Sequence, residues 1–240
     1  MLHEILEKTY HRAADPANLD AVLQALPQAA KEVFDQAPTA FGFRPTLLWD
    51  HQQAELLERL EETIRNLAEE EAGMRPVRFE EWFGSPPLAI DTPIGSVLFR
   101  GRIDRVDVDE QGDLRVIDYK TGMSKLDARS LGEGLRLQLV LYALGAEKAL
   151  RLGRVVDGFY WGILKGEASS LRLSKFKFTD PEGKEYFGMR DAIDLAAKHI
   201  GADVEGVRAG RFTPIPPRDD CPDYCVGRTI CWRYKPSERR

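Results

Sequence analysis

The chain has 240 residues, 43% hydrophobic and 30% charged, with a formal net charge of −5 and three cysteines. That length allows one large domain or two small ones with a substantial core, and the composition is that of a soluble globular protein. No apolar run approaches a membrane span and Met1-Leu2-His3 opens no signal peptide, so no membrane role and a cytoplasmic location are expected.

The negative charge is unevenly placed. Between Glu55 and Glu71 seven glutamates accompany two arginines, a net of −5 that equals the whole imbalance. The last stretch is basic, with Arg228, Arg233, Lys235, Arg239 and Arg240 against Glu238. Acidity on one helix leaves room for a basic groove elsewhere, but argues against strong non-specific affinity for nucleic acid by this chain alone.

In chain order, residues 3–13 read as a helix with Leu2, Ile5, Leu6 and Tyr10 on one stripe, ended by Asp15-Pro16. Asn18 is placed to cap a second helix reaching about residue 35, with Pro27 as a kink or break. Pro45 reads as the first-turn proline of a long helix. Leu57, Leu60, Ile64 and Leu67 form its buried stripe and the glutamates its wet face, so this segment reads as structural support. From Pro76 the pattern becomes strands: residues 77–83, bounded by Pro86-Pro87, then residues 94–108 and 114–120 as a hairpin. Residues 135–150 read as an amphipathic helix, 155–164 as a buried strand, 171–178 as a further strand, 184–207 as a helix, and 212–217 as an extended link. Trp49, Trp82 and Trp161 read as core residues rather than base-stacking platforms.

The hairpin carries the chemistry. Side chains alternate along a strand, so Asp118 and Lys120 share a face with Leu114 and Val116, while Arg115, Ile117 and Tyr119 take the other. A carboxylate and an ammonium at the end of an apolar strand are costly to bury without partners, and a divalent metal shared with Asp104 would supply one. In the first strand the apolar parity shifts around Asp104, which predicts a β-bulge there. From spacing alone, ordinary strand-end carboxylates with a salt-bridging lysine explain the pattern equally well.

The sequence Gly101-Arg-Ile-Asp104-Arg105, then Asp118-Tyr119-Lys120, then Gln138-x-x-x-Tyr142 resembles the RecB-like branch of the PD-(D/E)XK nuclease superfamily. The resemblance covers most of the chain and extends to the cysteines, which include an AddB-like or CRISPR-adaptation-like C-terminal cluster. It implies an α/β fold with a PD-(D/E)XK restriction-endonuclease-like core, a mixed β-sheet flanked by helices, and an N-terminal helical segment. The expected organisation is a helical segment over residues 1–75 packing on the core, a nuclease core over 76–210, and a cysteine-containing extension over 211–240.

The same resemblance implies that Asp104 and Asp118 ligate Mg²⁺ (or Mn²⁺), with the Tyr119 carbonyl as a third ligand. Lys120 would orient the attacking water and stabilise developing charge. Hard cations of this kind suit carboxylate and carbonyl oxygens. His3, on the first helix, would be a further metal ligand, against the bland alternative of a surface histidine at a fraying end. Gln138 and Tyr142 share a helix face and would border the catalytic site. Glu80, in a Glu-x-x-Phe element, is expected to support the site from behind at best.

All three cysteines, Cys221, Cys225 and Cys231, lie together, which favours a metal site over a disulfide framework. By resemblance they would hold a [4Fe–4S] cluster, but the pattern's fourth cysteine is missing. Either an upstream extension supplies that ligand, or the cluster is absent or labile and leaves free thiols or one disulfide. Zinc with an outside ligand is a third alternative. The reading reached is a metal-dependent DNA exonuclease acting on single-stranded ends beside a helicase in repair or recombination. Its rivals are a non-catalytic DNA-binding or scaffold module and a CRISPR-adaptation nuclease.

Overall fold

The computed structural model describes residues 1–70, 73–212, 225–227 and 229–231. Three helices come first: α1 (Leu2–Arg12), α2 (Leu19–Ala40) and α3 (Trp49–Glu69). Asn18 caps α2, its side-chain oxygen accepting the Ala21 N–H at 3.0 Å. Helix α2 runs unbroken through Pro27 and Pro38, five residues past the expected end. Its buried face of Val22, Leu26, Ala30, Val33 and Phe34 supplies tertiary packing that outweighs the missing N–H groups. Helix α3 begins at Trp49, four residues after Pro45, so Pro45 is not a first-turn proline. The Thr46 hydroxyl instead accepts the Leu48 N–H at 3.2 Å in a turn before the helix.

The main sheet contains β1 (Arg75–Thr92), β2 (Gly95–Val108), β3 (Leu114–Lys120), β4 (Val155–Gly162) and β5 (Glu167–Arg172), in that spatial order. Only β3 and β4 are parallel neighbours; the other pairs are antiparallel. This is the mixed sheet flanked by helices that the resemblance implies, with a helical segment ahead of it. The β3–β4 crossover carries a short helix α4 (Ala128–Gly132) and α5 (Gln138–Leu144), which packs on both strands. The helix expected over 135–150 is therefore shorter, and from Gly145 to Ala149 the chain widens into a π-helical turn.

Strand β1 does not stop at Pro86-Pro87. Residues 84–87 bulge opposite Arg100, and pairing resumes at Leu88↔Phe99. Prolines at a bulge lose no ladder hydrogen bond, which lets the β1–β2 ribbon extend well beyond the rest of the sheet. No register shift occurs in β2 at Asp104; the shifts in this pair lie in β1, between Pro76 and Arg78 and between Phe83 and Leu88. The parity change has another cause. One face of β2 is exposed through Arg102, and both faces are buried from Ile103 to Asp107. The segment expected as one strand over 171–178 divides into the end of β5, a 3₁₀ turn and β6 (Lys177–Thr179). Strand β6 pairs with β7 (Glu185–Phe187), which also displaces the start of α6 to Gly188 (Gly188–Arg208).

Helices α1–α3 and one face of the sheet share a core of Ile5, Leu6, Tyr10, Leu26, Leu60, Ile64, Phe79, Ile117, Tyr119, Phe159 and Trp161. Among the tryptophans, Trp161 is fully buried and Trp49 packs on this core, but Trp82 is 55% exposed, contrary to expectation. Polar links tie α3 to the sheet: the Thr63 hydroxyl donates to Ile163 O at 2.6 Å and Asn66 to Gly166 O at 2.9 Å. Buried in the same layer, Arg105 donates to Asp107 at 2.5 Å and to the Tyr10 hydroxyl at 2.8 Å. Arg115 donates to the other Asp107 oxygen at 2.7 Å and to Glu70 O at 2.8 Å.

Met1–Gly201 forms one compact unit and Ala202–Arg240 a second. In the second, Cys225 and Cys231 flank a turn in which the Cys231 N–H donates to Gly227 O at 2.7 Å, and both thiols are free. Cys221 lies outside the described residues. No helix among the described residues is long and apolar enough to cross a membrane.

Candidate metal centre and active site

The site forms where β2 and β3 part. Their backbone pairing ends at Arg105↔Ile117. Beyond it the Tyr119 N–H donates to the Asp104 carboxylate at 2.7 Å, so a side chain takes over from the ladder. The opening leaves Asp104 and Asp118 facing one space, both buried. The Tyr119 ring lies on the opposite face, in the helical core.

Asp118 has no exposed surface, and its oxygens have the Lys120 ammonium and the Tyr142 hydroxyl as hydrogen-bonding neighbours. The Lys120 ammonium stands against one of them as an ion pair. Burial raises the pKa of both aspartates; for Asp104 the neighbouring Asp118 charge adds to the rise, and for Asp118 the Lys120 charge opposes it. Two buried carboxylates that cannot share their charge comfortably describe a place that a cation would stabilise.

Helix α1 brings His3 to the same place. Its Nδ1 lies 3.4 Å from Asp104 and 3.8 Å from Glu80, and the ring meets Tyr119 edge-on at 5.8 Å. Burial and then the Lys120 charge lower the His3 pKa to about 4, so the imidazole is neutral at physiological pH, the form that ligates metals. His3, Glu80 and Asp104 offer ligand atoms within 4.8 Å of one another. Glu80 was expected only behind the site, yet its carboxylate reaches this cluster. Its backbone explains how: Glu80 sits opposite Asp104 on β1 with φ of 49°, a left-handed conformation that side chains disfavour. The sequence signal for it was slight, a single glutamate beginning a Glu-x-x-Phe element.

On the other side of Lys120, α5 supplies a short relay. Lys120 donates to Gln138 Oε1 at 2.9 Å, and Gln138 Nε2 donates to the Tyr142 hydroxyl at 2.6 Å. The Lys120 ammonium also lies 5.4 Å from the Tyr160 ring centre. Burial, followed by the Asp104 and Asp118 charges, raises the Tyr142 pKa, which keeps its hydroxyl protonated. His3, Asp104, Tyr119, Asp118, Lys120, Gln138 and Tyr142 therefore form one continuous set of neighbours, joined by Glu80.

A mixed sheet that opens to hold two buried aspartates, with a lysine two residues after the second, defines a nuclease-type α/β domain. The model of the PD-(D/E)XK nuclease superfamily matches residues 1–232, and the chain belongs to that superfamily. Among curated proteins it is similar to one of the subunits of the ATP-dependent helicase/deoxyribonuclease, the same one in each of three bacteria. For Moorella thermoacetica the identity is 39% over 62% of this chain and 12% of the relative. For Symbiobacterium thermophilum it is 47% over 33% of this chain and 8% of the relative. For Lysinibacillus sphaericus it is 31% over 50% of this chain and 12% of the relative. These similarities support the RecB-like branch that the motifs resemble. The chain spans about a tenth of the length of the curated relatives it matches.

Proposed function

We propose that the chain is a metal-dependent deoxyribonuclease domain, an exonuclease acting on single-stranded DNA ends within a larger helicase–nuclease assembly for repair or recombination. The observation that carries this reading is the pair of buried aspartates on adjacent strands, with Lys120 paired to Asp118. The donor set suits Mg²⁺ or Mn²⁺: Asp104, Asp118 and the Tyr119 carbonyl supply oxygen, His3 a neutral nitrogen, and Glu80 a further carboxylate. When bound, such an ion supplies Lewis-acid stabilisation to the phosphoryl oxygens.

The chain's own residues do the positioning. Lys120 presents its ammonium to the attacking water and to developing negative charge. Gln138 fixes the lysine through its amide oxygen, and Tyr142 fixes the amide. Asp104 holds β2 and β3 apart while keeping them in register. The intact acids and lysine weigh against a purely non-catalytic module.

The extension around Cys221, Cys225 and Cys231 fits part of a [4Fe–4S] site, since the chain's three thiols leave one position for a ligand from elsewhere. Iron and sulfide analysis of anaerobically purified protein tests that assignment, with Cys225→Ser as the control.

The nuclease reading is tested with end-labelled single-stranded DNA in Mg²⁺, Mn²⁺ or EDTA. Metal-dependent cleavage is expected to fall by about 10²–10⁴-fold in Lys120→Ala. Cleavage that survives EDTA or the substitution overturns the assignment.

A further inference from the structure

Beyond the catalytic residues, the β1–β2 ribbon has one exposed face that starts at the metal-ligand cluster. On β2 that face presents Arg102, Arg100 and Leu98, and on β1 it presents Trp82 opposite Arg102. The other face holds Phe83, Leu88 and Ile90, all buried, so among the described residues the outward face is the ribbon's exposed one. Arg102 lies 3.6 Å from Glu80, which lies 3.8 Å from His3. The row is therefore continuous with the site. Trp82 and Arg100 converge over Gly84: a methyl built there would lie 3.1 Å from the Trp82 ring and 2.9 Å from Arg100 Cγ. Among the described residues, Arg100 has no carboxylate partner.

We propose that this row is the track along which a single-stranded nucleic acid reaches the site, with the Trp82 indole stacking on an unpaired base and Arg100 and Arg102 meeting flanking phosphates. This deepens the nuclease reading and rests on it. Three features select a nucleic-acid strand as occupant. An exposed indole beside unneutralised guanidinium charge combines a stacking platform with phosphate contacts. The stretch from Arg100 to Asp104 covers about 13 Å of strand, on the order of four stacked nucleotides at 3.4 Å each. The overall charge of the chain is negative, so a local positive row is what would hold a polyanion here. A paired duplex keeps its bases stacked internally and offers Trp82 no free base face.

The test separates binding from chemistry. Fluorescein-labelled oligo(dT) is titrated in EDTA, where hydrolysis is off, against wild type, Trp82→Ala, Trp82→Phe and Arg100→Ala. Trp82→Ala is expected to weaken oligo(dT) binding about 5- to 150-fold, with Trp82→Phe restoring part of it. Arg100→Ala is expected to weaken binding and lower its salt dependence. Blunt duplex binding should change far less in Trp82→Ala. Oligo(dT) should also quench tryptophan emission in wild type more than in Trp82→Phe. Thermal melting checks that the variants fold; exposed Trp82 predicts an unchanged midpoint. Folded Trp82→Ala that binds oligo(dT) as wild type does overturns the track, as does a loss of self-association in its place, which would assign the face to a second copy. Metal-dependent cleavage by wild type is scored separately. If it is absent while Trp82-dependent binding persists, the nuclease reading falls and the binding row stands.

Discussion

The Asp104 carboxylate accepts the backbone N–H of Tyr119 at 2.7 Å, just past the last backbone pair between β2 and β3, Arg105↔Ile117. One side chain thus closes the sheet and faces the second acid, and these two duties conflict when no cation is present. A carboxyl whose folded pKa exceeds its unfolded value favours folding fully below the unfolded value, and that contribution is lost as pH rises through the folded one. For Asp104 the window runs from about 4, the unfolded value, to about 8. In EDTA the melting temperature of the wild type should therefore fall as pH rises across this range. Asp104→Asn keeps an oxygen for the Tyr119 N–H and removes the charge, so its melting temperature should be flatter with pH and higher at pH 8. A steeper profile in the variant would contradict the arrangement.

Glu80 offers a second separation of stability from function. Its φ of 49° costs an L-residue about 1–2 kcal/mol that glycine does not incur. Burial, followed by the nearby Glu7 charge, also raises its pKa. Glu80→Gly should therefore melt a few degrees higher than wild type in EDTA, at about 2–4 °C per kcal/mol for a chain of this size. Mg²⁺ or Mn²⁺ should raise the melting temperature of the wild type, and this rise should shrink in both Glu80→Gly and Glu80→Gln. A metal-induced rise that is unchanged in both variants would place Glu80 outside the metal's reach.

The hairpin, its two faces and the neighbours of Lys120 were readable because strand alternation and helix i,i+4 spacing are local rules. Leu114, Val116 and Asp118 needed nothing beyond the period of two. Glu80 was not readable in this way, because a left-handed glutamate is imposed by the sheet and leaves no mark in composition. Trp82 misled for a related reason. Val77, Phe79 and Phe83 share one side of this strand and Trp82 takes the other with Arg78 and Glu80, but its bulk read as core, and the pair Pro86-Pro87 concealed that the ribbon continues past the sheet with one face bare. The end of α5 was missed because a π turn has the same apolar spacing, within a residue, as the α-helix it extends.

Arg105 belongs to the Gly-x-x-Asp-Arg sequence, yet it points away from the site into the layer beneath α1. There it and Arg115 grip the two oxygens of Asp107, with no exposed surface on Asp107 or Arg105. Removing the shared carboxylate takes one charge partner from each of two guanidinium groups in a low-dielectric layer, so Asp107→Ala should cost about 3–5 kcal/mol. On melting this corresponds to a fall of roughly 6–20 °C. Replacing all three with apolar residues of similar volume should restore much of the loss, because the triad's net contribution is far smaller than the penalty for breaking it. If Asp107→Ala melts like wild type, the buried network is not what ties α1 to the sheet.

The glycine of that same sequence has a packing role that can be isolated. A methyl on Gly101 would lie 2.8 Å from Phe83 Cζ, and a methyl on Gly145 would lie 3.0 Å from the same ring. Phe83 is thus held between β2 and the π turn after α5, the helix that carries Gln138 and Tyr142. The ring cannot retreat from an added Gly101 methyl without pressing on Gly145. Gly101→Ala should therefore destabilise by about 1–3 kcal/mol, the usual range for overpacking. Gly122→Ala, with nothing within 4 Å of its added methyl, is the matched control. Pairing Gly101→Ala with Phe83→Leu shortens the trapped side chain and should recover stability relative to Gly101→Ala alone. If the melting temperature recovers in the double variant, metal-dependent cleavage should recover with it, since α5 again holds Gln138 against Lys120. Stability without cleavage would contradict the link between the packing of Phe83 and the placement of Gln138 against Lys120.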